Sequence, residues 1–105
     1  MIRTFRFEPE ASLELEHAAV WYNSQRARLG LEFVEAVDLA LEQIARWPQI
    51  GRRVVRMPKD VPARQFPVNR FPYHVVYLEW RDVIRLLAFA HDSRKPRYWF
   101  SRINR

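Results

Sequence analysis

The stretch AHDSRKPRYW, residues 90 to 99, sets His91 beside Asp92 and follows them with a serine hydroxyl, Arg94, Lys95, Arg97 and two aromatic rings. Such a stretch could be part of an active site that moves protons, a strip that binds phosphate, or a solvated tail. His74 and His91 are of the type that serves as base, and Tyr98 of the type that donates a proton or stacks a nucleobase. Arg85 and Arg94 supply charge, which also favours a neutral histidine. A surface that only binds needs no proton transfer. For that chemistry the candidates are Arg64, Arg85, Arg94, Lys95, Arg97 and Trp99, since guanidinium forks match phosphate and carboxylate and aromatics anchor interfaces.

Other chemistries find little support. His17 lies among Glu14 and Glu16 and reads as an exposed or satisfied histidine. No two histidines fall at i, i+4, and there is no cysteine to complete a tetrahedral set, so no metal and no cofactor is expected. The only glycines are Gly30 and Gly51, which excludes a glycine-rich phosphate loop.

Charge is divided unevenly. Residues 1 to 50 sum to −3 and residues 51 to 105 to +9, within a net charge of +6. Of the 18 basic residues only Lys59 and Lys95 are lysine. That bias fits either paired contacts to anions or a plain solvated surface. No apolar run has the length of a signal peptide or a membrane span, so the expectation is a soluble cytoplasmic protein with no membrane partner.

These residues must be positioned by one small core, because 105 residues make one domain, 1–105. The alternation in IRTFRF, residues 2–7, predicts a strand. Pro9 and the acidic residues Glu8, Glu10, Glu14 and Glu16 then open a helix over about 9–29, with Gly30 as its stop. Phe33, Val37, Leu41 and Ile44 form one stripe of a second helix, which Pro48 closes. So short a connection makes the two an antiparallel hairpin. After PQIGRR the period changes to that of strands: ARQFPV, PYHVVYLEW and VIRLLAFAH, with Arg81 and Asp82 forming a tight turn between the last two. The expectation is an α+β fold: an N-terminal strand, a helical hairpin and a three-stranded antiparallel meander, with the helices on one face of the sheet. His74 shares a face with Val76 and Leu78, as a histidine bonded to backbone or as a functional one. Arg85, inside an apolar run, must reach a partner or a groove.

The element order, the length and the run NRFPYHVVYLEWRDVIRLLAFAHDSRKPRYW resemble the ParE/RelE superfamily of type II toxin–antitoxin toxins, also described as plasmid stabilisation proteins. The resemblance covers nearly the whole chain. It implies a growth-inhibiting toxin held by a cognate antitoxin, in a heterotetramer or a larger complex. RelE-like members cleave mRNA on the ribosome, whereas ParE-like members poison DNA gyrase. The RelE-like branch commonly has Tyr-Arg where this chain has Tyr73-His74, and basic residues on the preceding strand where it has Arg64 and Phe66. The ending FAHDSRKPRYW is similar to ParE-like sequences, so the resemblance favours gyrase inhibition. The alternative is a ribosome-dependent endoribonuclease that uses His74, His91 and Tyr98.

Overall fold

A computed structural model describes residues 3–104, and Ile2 of the expected first strand lies outside them. Strand β1 (Thr4–Phe7) is followed by helices α1 (Pro9–Gln25) and α2 (Leu29–Arg46), then β2 (Arg52–Arg53), β3 (Ala63–Pro67), β4 (Tyr73–Trp80) and β5 (Val83–His91). A short 3₁₀ helix spans Phe100–Arg102. The five strands form one sheet in the order β1-β5-β4-β3-β2. The expected antiparallel meander is present, extended by β2, whose two residues pair with Arg64 and Gln65. A strand that short carries no periodicity, so PQIGRR reads as loop.

Pro9 occupies the first turn of α1, where its fixed φ suits the helix and its missing N–H costs nothing. The helix ends at Gln25, earlier than expected, and Gly30 is not its stop. Arg28 takes the left-handed conformation in the link (φ 73°), and Gly30 falls inside the first turn of α2. A Cβ there would lie 2.2 Å from the Ala19 carbonyl oxygen, so glycine is required by the close approach of the helices. The Gly30 N–H donates to Asn23 Oδ1 at 2.8 Å across the same contact. Helix α2 buries Phe33, Val37, Ala40 and Ile44, the face its sequence stripe marks out.

The sheet has a core on each face. Val75, Tyr77, Ile84, Leu86 and Phe89 pack against the helices. Val76, Leu78, Leu87, Ala88 and Ala90 face away from them and are covered by Trp99. The pairing passes from Val76↔Ala88 to Tyr77↔Leu86, leaving Leu87 as an extra residue. This bulge lets Leu86 and Phe89 share the helix side.

Strand β1 lies parallel to β5 only from Thr4↔Val83 to Phe7↔Leu86. Beyond Leu86 the outer edge of β5 has no strand beside it, and side chains replace one. The Phe89 N–H donates to Glu14 Oε1 at 3.1 Å, and Arg102 Nη1 donates to the Leu87 carbonyl at 2.8 Å. An open strand edge is thereby closed by polar groups.

Candidate target-binding groove

The C-terminal segment turns back across the sheet face opposite the helices. The Arg94 N–H bonds the His91 carbonyl at 2.9 Å, and the Tyr98 N–H bonds that of Lys95 at 3.2 Å. The second turn has Pro96 at its first central position and Arg97 at the next, with φ 60°. That left-handed position favours glycine. Trp99 then enters the outer core with 2% of its surface exposed.

Two buried ion clusters hold the segment. Glu14 accepts Tyr98 Oη at 2.7 Å and both terminal nitrogens of Arg102 at 3.0 Å. Arg85 pairs with Glu8 at 3.0 Å and donates to the carbonyls of Arg102 and Ile103, each at 2.9 Å. The carboxylates of Glu8, at the N-cap of α1, and of Glu14 within it therefore anchor the tail. Their partners lie 77 to 88 residues away in sequence, a separation that no periodic pattern reveals.

Between this tail and β2 runs an open groove of about 800 Å³. Arg52 and Arg53 of β2 and Arg94, Lys95 and Arg97 of the tail all border it, with Val54 and Pro67 among its apolar lining. None of these five cations forms an ion pair among the described residues. Arg52 is steadied by the Gln65 amide oxygen, which faces its guanidinium. Arg94 lies over the Tyr98 ring at 3.8 Å from its centroid. On the groove surface His74 Nδ1 contacts Asp92 Oδ1 at 2.8 Å, so His74 is held by a carboxylate and not by backbone.

The residues singled out by sequence divide into two groups. Arg94, Lys95, Arg97, His74, His91, Tyr98 and Trp99 all border the groove. Arg85 reaches an internal partner, and Arg64 donates to the Gly51 carbonyl at 2.8 Å, so both guanidinium groups are engaged within the fold. Trp99 is a core residue. His91 pairs across from Tyr73, and His74 from Ala90, so the two histidines stand on opposite sides of the sheet. The His91 ring lies edge-on to Tyr73 at 5.1 Å, and its Nδ1 accepts the Ser93 N–H at 3.0 Å. Tyr98 keeps its proton more tightly than an ordinary tyrosine, because burial and its bond to Glu14 both penalise the phenolate. Its hydroxyl is already given to Glu14. The three proton-transfer candidates therefore border the same groove as the cations, but no hydrogen bond joins any two of them. Arg52 and Arg53, unmarked by sequence, enter the site only because β2 brings them to its edge.

Among the described residues no three potential metal ligands cluster, and no helix is long and apolar enough to cross a membrane.

A family model described as the ParE toxin of the type II toxin–antitoxin system, parDE, matches residues 5–96. No curated protein sequence matches the chain. Among solved structures, a chain of the chromosomal ParDE toxin–antitoxin system from P. aeruginosa superposes with a TM-score of 0.72 at 14% identity. The alignment covers 86% of this chain and 96% of that one, a likeness of fold.

Proposed function

Because the chain belongs to the ParE toxin family of type II toxin–antitoxin systems, we propose that it arrests growth by inhibiting DNA gyrase and is neutralised by a cognate antitoxin. The observation that supports the gyrase reading is that His74, His91 and Tyr98 border the groove with each bonded to a different partner and none to another, Tyr98 having given its hydroxyl to Glu14, while Arg94, Lys95 and Arg97 line it without an ion pair among the described residues. Inhibition by binding needs charge and shape, and no proton relay.

The antitoxin reading has its own support. Leu13, Val20 and Trp21 on α1 and Leu39 on α2 are all at least half exposed. Apolar side chains on a helical hairpin suit a segment that folds as it binds, and acidic residues in that segment would be drawn to the basic half of the chain. Two features favour the second reading, a ribosome-dependent ribonuclease: a carboxylate orients the His74 base, and His74, His91 and Tyr98 border one cationic groove.

The test is to express the chain alone, then with the small protein encoded beside it, and to assay purified toxin against gyrase supercoiling. Arrest, rescue and loss of supercoiling are expected. Normal growth on verified expression of folded protein contradicts the toxin reading, and arrest with unimpaired supercoiling contradicts the gyrase target.

A further inference from the structure

We infer that the groove between β2 and the C-terminal segment binds the phosphodiester backbone of a single nucleic-acid strand. The inference goes beyond gyrase inhibition and rests on the groove alone.

Charge distribution is the first ground. Elsewhere Arg3, Arg26, Arg70, Arg85 and Arg102 pair with carboxylates, and cations without an ion pair among the described residues, such as Arg6, Arg28, Arg46 and Arg81, lie outside any such groove. The groove gathers Arg52, Arg53, Arg94, Lys95 and Arg97 without one, and Asp92, the acidic residue on its lining, is taken by His74. Cations contributed from β2 and from the tail suit a ligand that carries negative charge at regular intervals along its length. Four of the five are guanidinium groups, which bond phosphate oxygens in pairs.

The neighbouring backbone separates this ligand from an acidic peptide. An extended peptide gains much of its affinity by adding a strand to a sheet edge. Here β2 already occupies the β3 edge at Arg64 and Gln65, and Pro67 beyond them has no N–H to offer. Phosphate contacts require no such edge. The exposed Pro67 ring presents apolar surface in the groove for a base face, whereas Phe66 packs against the helix-side core. Tyr98 and Trp99 are otherwise committed, so binding depends on backbone charge and little on sequence. A groove of about 800 Å³ takes a few nucleotides of one strand and not the full width of a duplex.

Arg97 supplies a test that unfolding does not confound. Its φ of 60° favours glycine, so Arg97→Gly removes a groove cation at a position where the fold tolerates the change. The experiment measures fluorescence anisotropy of the full chain with labelled single-stranded DNA, single-stranded RNA, duplex DNA and a poly-glutamate peptide across a range of salt. Arg53→Gln and Arg97→Gly are compared with wild type and with Arg46→Gln, which alters the end of α2.

Wild type should bind single strands more tightly than duplex or poly-glutamate. The plot of log affinity against log salt should flatten by about 0.7 for each groove cation removed. Arg97→Gly should keep or raise the melting temperature, and Arg46→Gln should leave the slope unchanged. Preference between the DNA and RNA arms identifies the natural strand. Poly-glutamate binding as tight as the oligonucleotides overturns the inference in favour of an acidic protein partner. Salt slopes equal to wild type in both groove variants, or no binding of any strand, also overturn it. Gyrase inhibition is measured separately, so its failure leaves this result standing.

Discussion

Glu14→Ala should be among the most damaging single changes to the fold, although the residue lies in an acidic helix turn that reads as surface. Its carboxylate accepts the Phe89 N–H, the Tyr98 hydroxyl and two nitrogens of Arg102. The Glu14 and Arg102 side chains are only 17% and 11% exposed. Removing one partner of such a pair leaves a desolvated charge behind, at a cost of about 3–5 kcal/mol. Unfolding entropy of about 2.1 cal/mol/K per residue makes each kcal/mol worth about 4–5 °C in a chain of this length, so the melting temperature should fall by roughly 13–23 °C. Urea unfolding followed by circular dichroism provides the free energy, with an unchanged slope confirming that the native state keeps its compactness. Once Glu14 is gone, Arg102→Ala should cost less than it does alone, with a coupling of at least about 1 kcal/mol. A loss below about 1 kcal/mol for Glu14→Ala, or strict additivity with Arg102→Ala, would refute the claim that this cluster holds the tail in place.

Gly30→Ala offers a test of sign. Helix propensity alone favours alanine by about 1 kcal/mol. The 2.2 Å approach to the Ala19 carbonyl instead predicts a loss of about 1–3 kcal/mol, and a stabilised variant in chemical denaturation would contradict the packing described. Trp99→Ala should destabilise by about 3–5 kcal/mol, because the ring fills the outer core; toxicity lost with stability intact would place Trp99 at the target instead. All four tyrosines, Tyr22, Tyr73, Tyr77 and Tyr98, have pKa values raised above the ordinary 10.0, chiefly by burial. A group raised in the folded state contributes stability that is fully present below its unfolded value and lost above it, so stability should fall as pH rises past 10.0. Ultraviolet titration should show tyrosinate appearing only above that value or with unfolding. A full tyrosinate step at 10.0 in protein still folded by circular dichroism contradicts the burial of these rings.

Much of the fold is legible in the sequence because its elements announce themselves through period and punctuation. The stripe of Phe33, Val37 and Ile44 and the proline at position 9 work locally. So do the alternating strands and the Arg81–Asp82 turn. The first helix ends early for a reason of another kind: Gly30 answers to a backbone contact with Ala19, which mimics a stop signal in one dimension. Strand β2 has two residues and exists because β3 accepts it. The site was half legible. Arg94, Lys95 and Arg97 are contiguous and stand on one rim, as the opening stretch suggests. Their separation from Arg85 was not visible, since only the arrival of Glu8 and the tail carbonyls turns that guanidinium inward. His74 and His91 lie seventeen positions apart on neighbouring strands, and the register alone puts them on opposite sides.

The claim that this toxin acts by binding gyrase, with no chemistry of its own, is tested most directly by three variants assayed side by side. His74→Gln, His91→Gln and the double change Arg94→Gln with Arg97→Gly are each purified as folded protein. Gyrase supercoiling and cleavage of mRNA on translating ribosomes are then measured for each. Both histidine variants should inhibit supercoiling as wild type does, the double variant should fail to, and none should cut mRNA. Codon-positioned cuts by the wild type that vanish with either histidine, alongside unaffected supercoiling, would contradict the account and make the groove an active site.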